Sequence, residues 1–194
     1  MPSFDVLRAY LEARASFTED EMAFVRERFQ PCTLRAGEFL QRAGEVSRHA
    51  AFVASGCLRN YVIDANGKEH IVQFAPETWW LADIISLASG APSQYFVDAI
   101  EDSELLLIDP PSQQQLVDRV PGYAASMRTG IQRHSAAKDQ RIVTSLTASA
   151  EERYVEFMER YPSIAQRVPQ RMVASYLGVS PETISRVRES LSRK

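Results

Sequence analysis

Cysteine, histidine and long apolar runs are all scarce in this 194-residue chain. Its two cysteines, Cys32 and Cys57, have no CxxC partner, which excludes a disulfide framework, a thiolate zinc site and an iron–sulfur cluster; both are expected as buried thiols. The three histidines, His49, His70 and His134, are too scattered to build a haem or metal site. No apolar run approaches the ~20 residues of a membrane-spanning helix, and residues 1–13 have neither the basic nor the apolar region of a secretion signal. A cytoplasmic protein with no membrane partner is therefore expected. Nucleophile motifs, metal-ligand spacings and phosphate-cradling glycine loops are missing as well, so neither an enzyme nor a cofactor is expected. Excess positive charge is missing too, since 22 Lys and Arg face 25 Asp and Glu for a net of −3.

That balance conceals a segregation. Residues 1–110 carry nine Lys and Arg against 17 Asp and Glu, a net of −8. Residues 166–194 carry six (Arg167, Arg171, Arg186, Arg188, Arg193 and Lys194) against two (Glu182 and Glu189), a net of +4. A basic end on an acidic body offers one surface to phosphate and holds the rest away from it.

The same end carries the most informative local pattern. Val173 and Leu177 lie one turn apart, Ala174 permits close helix approach, and Gly178 allows the left-handed backbone of a tight turn. Val179 plugs the turn, Ser180 is an N-cap, Pro181 suits the first helical position, and Ile184 and Val187 form the buried face of a second helix. Glu182, Thr183, Ser185, Arg186 and Arg188 are left pointing outward. With Pro181, and with Arg171 on the first helix, they form the predicted DNA-binding set. An arginine fork matches N7 and O6 of guanine, and a carboxylate accepts from the amine of cytosine. The pattern is that of a helix-turn-helix whose second helix enters the major groove; the alternative is a helical hairpin with solvated charges.

Upstream, Phe4, Leu7, Leu11, Met22, Val25 and Phe29 recur at helical spacing, with Thr18 and Glu21 placed as a capping box, so two short helices open the chain. From Pro31 to Asp109 the texture is β-rich: the stretches beginning at Glu38, Ala51, Cys57, His70, Tyr95 and Leu105 are punctuated by glycine and predict a small β-roll. Asn66-Gly67 predicts a type I′ hairpin turn within it. Helices follow from Gln113 to Val120 and from Tyr123 to about Leu146, and a third amphipathic helix from Ala150 stops before Pro162. The long helix shows only a thin stripe of Met127, Ile131, Ile142 and Leu146, which a partner helix would cover in a homodimer. Packing of that helix on the roll is the other reading, because Lys138 and Asp139 interrupt the stripe. The expected class is thus α+β, with three parts: residues 1–110 (N-terminal helices and an antiparallel, double-stranded β-helix roll), 111–146 (a dimerisation helix region) and 147–194 (the helix-turn-helix).

This order of elements resembles the Crp/Fnr family of bacterial transcription regulators over nearly the whole chain. The stretches beginning at Arg35, Phe52 and Val179 carry the likeness, most specifically Glu182-Thr-Ile-Ser-Arg186, which is similar to the E-x-x-S-R recognition-helix pattern of the Fnr branch. The resemblance implies a cyclic-nucleotide-binding-like sensory roll and a homodimer reading a palindromic duplex DNA operator with Glu182, Ser185 and Arg186. The two recognition helices would lie one turn of DNA apart, ~34 Å. RNA polymerase is a further partner on this reading.

Two departures from the family pattern qualify what the resemblance implies. Where cyclic-nucleotide-binding members hold the cyclic phosphate with a glycine, a glutamate and an arginine, this chain has Ala82, Asp83 and Ser93-Gln94. Without the cation, cyclic AMP is not the expected ligand. Family members also usually continue past the recognition helix into a β-hairpin wing, whereas this sequence runs to Lys194; Arg171, Arg188, Arg193 and Lys194 would then supply the phosphate contacts, with modest affinity and strong salt dependence.

If the roll senses an unknown small-molecule effector, Phe74, Trp79, Trp80 and Tyr95 are placed to line an apolar cavity beside Asp83, Ser93 and Gln94, closed by the long helix near Lys138. The same aromatics also suit plain core. Trp79 and Trp80 cannot both face inward on one strand, so one of them is expected to be exposed or on a turn, the best hint of an interaction surface. Two alternatives to an effector-gated regulator remain: a regulator that is constantly DNA-competent, and a sensor or scaffold module with a vestigial DNA-binding end.

Overall fold

The computed structural model describes residues 2–192, with residues 133 and 134 by backbone alone. Helices α1 (Pro2–Glu12) and α2 (Glu19–Glu27) precede β1 (Gln30–Leu34), β2 (Phe39–Gln41), β3 (Ala50–Ser55), β4 (Leu58–Ile63), β5 (Glu69–Ala75) and β6 (Trp80–Leu81). Helix α3 (Ile84–Ser89) separates these from β7 (Phe96–Ala99) and β8 (Ser103–Ile108), and α4 (Pro110–Arg119) and α5 (Pro121–Thr147) follow. The chain ends in α6 (Ala150–Arg160), α7 (Pro162–Arg167), α8 (Gln170–Leu177) and α9 (Pro181–Ser192). The strands form two sheets, ordered β1-β8-β3-β6 and β2-β7-β4-β5, so the α+β class with a β-roll stands. By its contacts the chain divides into two compact units: residues up to Asn60 with Phe74–Gln132, and Tyr61–Gln73 with the chain from residue 133 onward.

In the first unit, the Thr18 capping box starts α2 as expected: Glu21 N–H donates to Thr18 Oγ1 (3.2 Å) and Thr18 N–H donates to Glu21 Oε2 (2.8 Å). The sheet beside these helices has a core on each face. On β8, Leu105 joins one cluster with Val53, Leu58 and Val97, while Leu106 and Ile108 join the other with Phe4, Leu7, Leu11 and Tyr123. β3 alternates the same way, Ala51 and Val53 against Ala50, Phe52 and Ala54, as the two-residue period of a strand requires.

That second core bears on Trp79 and Trp80. Both are half-buried, and Trp79 ends a turn, its N–H donating to Pro76 O (3.2 Å). Trp79 packs against the first cluster and Trp80 against the second, where its ring lies 5.2 Å from Phe52 and 6.1 Å from Phe29. The expectation for the Asn66-Gly67 turn is corrected. A hairpin does form there, but Gly67 alone has positive φ (80°), its N–H donating to Asp64 O (2.9 Å), and Asp64 Oδ1 accepts from the N–H groups of Asn66 and Lys68. The Asp64 side chain, not a pair of left-handed residues, closes a five-residue loop. β1 and α7 also lie where no element is expected from the sequence. Cys57 is buried and Cys32 half-buried, both as free thiols.

Between β3 and β4 the chain turns at Gly56 (φ 90°), where an added Cβ would sit 2.2 Å from Ser103 Oγ and 2.6 Å from Asp102 O. Gly56→Ala combines a left-handed backbone with a backbone clash, so it is expected to destabilise by about 3 kcal/mol or more. A urea midpoint unchanged from the native protein would refute this.

The second unit contains the β4–β5 hairpin, the end of α5 and the C-terminal helices. A second capping box, Ser149 with Glu152, starts α6. α6 packs on α8 and α9 through a core including Tyr154, Phe157, Ile164, Val173, Leu177, Ile184 and Val187.

Candidate nucleic-acid interface and effector pocket

α8 ends as its sequence requires. Gly178 takes the left-handed conformation (φ 69°, ψ 30°), its N–H donates to Ser175 O (3.2 Å), and Val179 N–H donates to Ala174 O (3.0 Å). These two bonds form a Schellman motif, which turns the chain sharply into the next helix. Ser180 then caps α9, its Oγ accepting from Thr183 N–H (3.2 Å), with Pro181 at the first helical position.

α9 has two opposed faces. Ile184 and Val187 are buried with Leu191 beside them, whereas Glu182, Ser185, Arg186 and Glu189 are exposed. At 100° per residue those four span roughly a quadrant, opposite the buried set. Arg188 and Pro181, also exposed, flank that quadrant on one side, and half-buried Thr183 on the other. Arg171 is exposed at the start of α8, while Arg193 and Lys194 lie outside the described residues. Glu189 is the addition to the predicted set; its i+7 spacing from Glu182 is the signal that identifies it. The Glu182 carboxyl is held below its ordinary value chiefly by a hydrogen bond from Ser180, then by its own backbone N–H, with Arg186 contributing. It therefore stays an acceptor in mildly acidic solution.

In the first unit a cavity of about 60 Å³ lies inside the roll, lined by Leu40, Gln41, Ser47, His49, Asn60, Leu81, Ala82, Asp83, Tyr95, Val97 and Leu107. Of the eight predicted effector residues the structure brings Asp83 and Tyr95 to this cavity, and the Asp83 carboxylate is occupied as the N-cap of α3, accepting from Ser86 N–H (3.1 Å). Phe74 and Trp79 are core, and Trp80 faces the opposite side of its sheet. Ser93 is buried with its Oγ accepting from Tyr95 N–H (3.0 Å), Gln94 is exposed, and Lys138 lies exposed on α5 without lining the cavity. Gln41, Ser47, His49 and Asn60 are polar lining residues that the sequence does not assign to the pocket. Gln41 Nε2 and Asn60 Oδ1 are buried with no hydrogen-bond partner. No lysine or arginine lines the cavity, so a cyclic phosphate would meet a carboxylate and no guanidinium.

Among the described residues, no helix is long and apolar enough to cross a membrane. Residues 31–120 match the cyclic nucleotide-binding domain family. No curated protein sequence matches the chain significantly. Solved structures share its fold over most of its length. FixK2 from Bradyrhizobium japonicum superposes with a TM-score of 0.71 at 20% identity, covering 85% of each chain. The c-di-GMP responsive global regulator CLP of Xanthomonas campestris gives 0.73 at 13% identity, covering 91% of this chain and 92% of that one. A transcriptional regulator of the Crp/Fnr family from Eubacterium rectale gives 0.67 at 14% identity, covering 91% and 84%. The chain has the fold of the Crp/Fnr transcription regulators, with a cyclic nucleotide-binding-type roll over residues 31–120.

Proposed function

We propose that this chain is a cytoplasmic, non-enzymatic transcription regulator that binds DNA as a homodimer, reads a palindromic operator through α9 and takes its signal in the roll from a small molecule other than cyclic AMP. The observation that carries this reading is the pair of opposed faces on α9: Ile184 and Val187 seat the helix, and Glu182, Ser185 and Arg186 are exposed on the side turned away from it. Residues to 110 then form the sensory part, 111–146 the dimerisation region and 147–194 the DNA-binding part.

Support for the dimer comes from α5, which exposes Ile131, Ile142, Val143 and Leu146, the last by 80%. A second copy of the same helix would remove that stripe from water. The effector reading is supported by the cavity and its unpartnered amide atoms, since burying a polar atom without a partner is unfavourable until a ligand or water supplies one. RNA polymerase is a further partner in this account.

Selecting fragments from random duplex DNA with the purified protein should enrich a palindrome, and light scattering should give a dimer. Neither enrichment of any sequence nor a monomer at micromolar concentration is compatible with the reading. Arg171 and Arg188 in two protomers supply about four phosphate contacts, to which Arg193 and Lys194 add, so log affinity should fall against log salt with a slope of roughly −4 or steeper. A binding constant indifferent to salt would remove them from the interface.

A further inference from the structure

Strand β5 is an edge strand, and an edge leaves backbone N–H and C=O groups without a neighbouring strand. Here side chains of the second unit take those groups. Ile71 N–H donates to Ser175 Oγ (3.0 Å), whose hydroxyl donates to Glu69 O (2.8 Å). Arg141 of α5 donates through Nη2 to Ile71 O (3.1 Å) and through Nη1 to Val72 O.

Arg141 also reaches the reading head. Nη2 donates to Tyr176 O (2.6 Å) in the last turn of α8, and the guanidinium lies 3.9 Å above the centroid of the Tyr176 ring. That ring packs in turn on Phe157 (5.4 Å) and Tyr161 (6.4 Å). The neighbouring carbonyl, Leu177 O, accepts from Arg153 Nη1 (2.6 Å). A cation at a helix C-terminus meets the negative end of its dipole and satisfies carbonyls the helix leaves open. α8 has only eight residues, too few to hold its own shape or direction without such contacts. Burial pulls the Arg141 guanidinium below its ordinary value, with the phenols of Tyr176 and Tyr161 opposing, so this is a desolvated group held by carbonyls and a ring.

We propose that Arg141, assisted by Ser175, is the positioning residue of the DNA-reading head: it fixes α8, and through the Gly178 turn α9, to the β5 edge, so that the hairpin Tyr61–Gln73 and the helix-turn-helix meet DNA as one body. This rests on the regulator reading above. The planar fork carries the assignment, because its donors diverge toward carbonyls on two elements while its face covers a ring. A lysine offers the same charge without that spread.

The test uses full-length protein carrying Arg141→Gln, Arg141→Lys or, as the milder change, Ser175→Ala. Three quantities are measured: affinity for the operator selected by the native protein, affinity for an unrelated duplex of equal length, and hydrogen exchange at the Ile71 amide. Operator affinity should fall about tenfold in both Arg141 variants, while affinity for the unrelated duplex and its salt slope hold, because Arg141 contacts no DNA. Exchange at Ile71 should rise about tenfold in all three variants, although Arg141 does not touch that N–H. Unchanged or increased operator affinity in Arg141→Gln overturns the proposal, as does full binding by Arg141→Lys, which would show that charge suffices. Should an Arg141 variant fail to fold, Ser175→Ala decides by the same two readouts, raised exchange with lower operator affinity supporting the proposal and no change in either overturning it. If the native protein selects no operator, the regulator reading fails separately, and unchanged Ile71 exchange in Arg141→Gln would still overturn the positioning role.

Discussion

Arg186→Ala is expected to weaken binding to the selected operator by about 1–3 kcal/mol for each recognition helix, or about 2–6 kcal/mol for a dimer, and to relax sequence preference at one position of each half-site. Arg186 lies at the Thr183 edge of the exposed quadrant of α9, one turn from Glu182. Its hydrogen bond along the helix, Nη2 to Thr183 Oγ1, is long at 3.5 Å, so little holds the fork away from a guanine edge. Ile184 and Val187, which seat the helix, are untouched by the change, so melting temperature should stay level while affinity drops. Arg188→Ala supplies the contrast. On the flank of the same helix it should weaken all duplexes about equally and reduce the salt slope by about one per protomer. Operator binding by Arg186→Ala at native strength would remove α9 from the base-reading role.

The contrast between these two arginines was legible in the sequence because it depends on local rules. Gly178, Ser180 and Pro181 act on the backbone within a few residues, and the periodicity of Ile184 and Val187 names the face that turns inward. The Thr18 capping box is of the same kind. What escaped depends on partners distant in the chain. Trp79 and Trp80 read as a surface feature only if their sheet has one core; α1 and α2 supply the second, and both rings are half-buried. The run from Ala82 to Ala99 reads as a ligand cassette, yet Asp83 caps a six-residue helix too short for a periodic signal. Gln41 and Asn60 sit in strands whose existence is plain, but which of two faces meets the cavity follows from the curl of the roll. Nor does any pattern within Tyr61–Gln73 tell that this hairpin belongs with the C-terminal helices; Arg141 and Ser175 make that association from 70 and 104 residues away.

The largest effect on stability should come from the pair beside the cavity. Arg59 on β4 and Asp98 on β7 meet as a two-pronged pair, Nε to Oδ1 at 2.7 Å and Nη2 to Oδ2 at 2.9 Å, with only 12% and 8% of their side chains exposed. Their chain neighbours Asn60 and Val97 line the cavity, so strand alternation puts the ion pair on the other face of the same two strands. Asp98→Ala removes the carboxylate that meets this desolvated guanidinium on two prongs, and a loss of about 3–5 kcal/mol is expected in urea denaturation. Arg59→Met with Asp98→Leu removes both charges at similar volume and should be less destabilised than Asp98→Ala alone, because neither charge is then stranded. The ordering matters more than either value. If the double variant is as unstable as the sum of its single changes, the pair contributes through packing alone, and the cavity wall does not depend on the charge it backs onto.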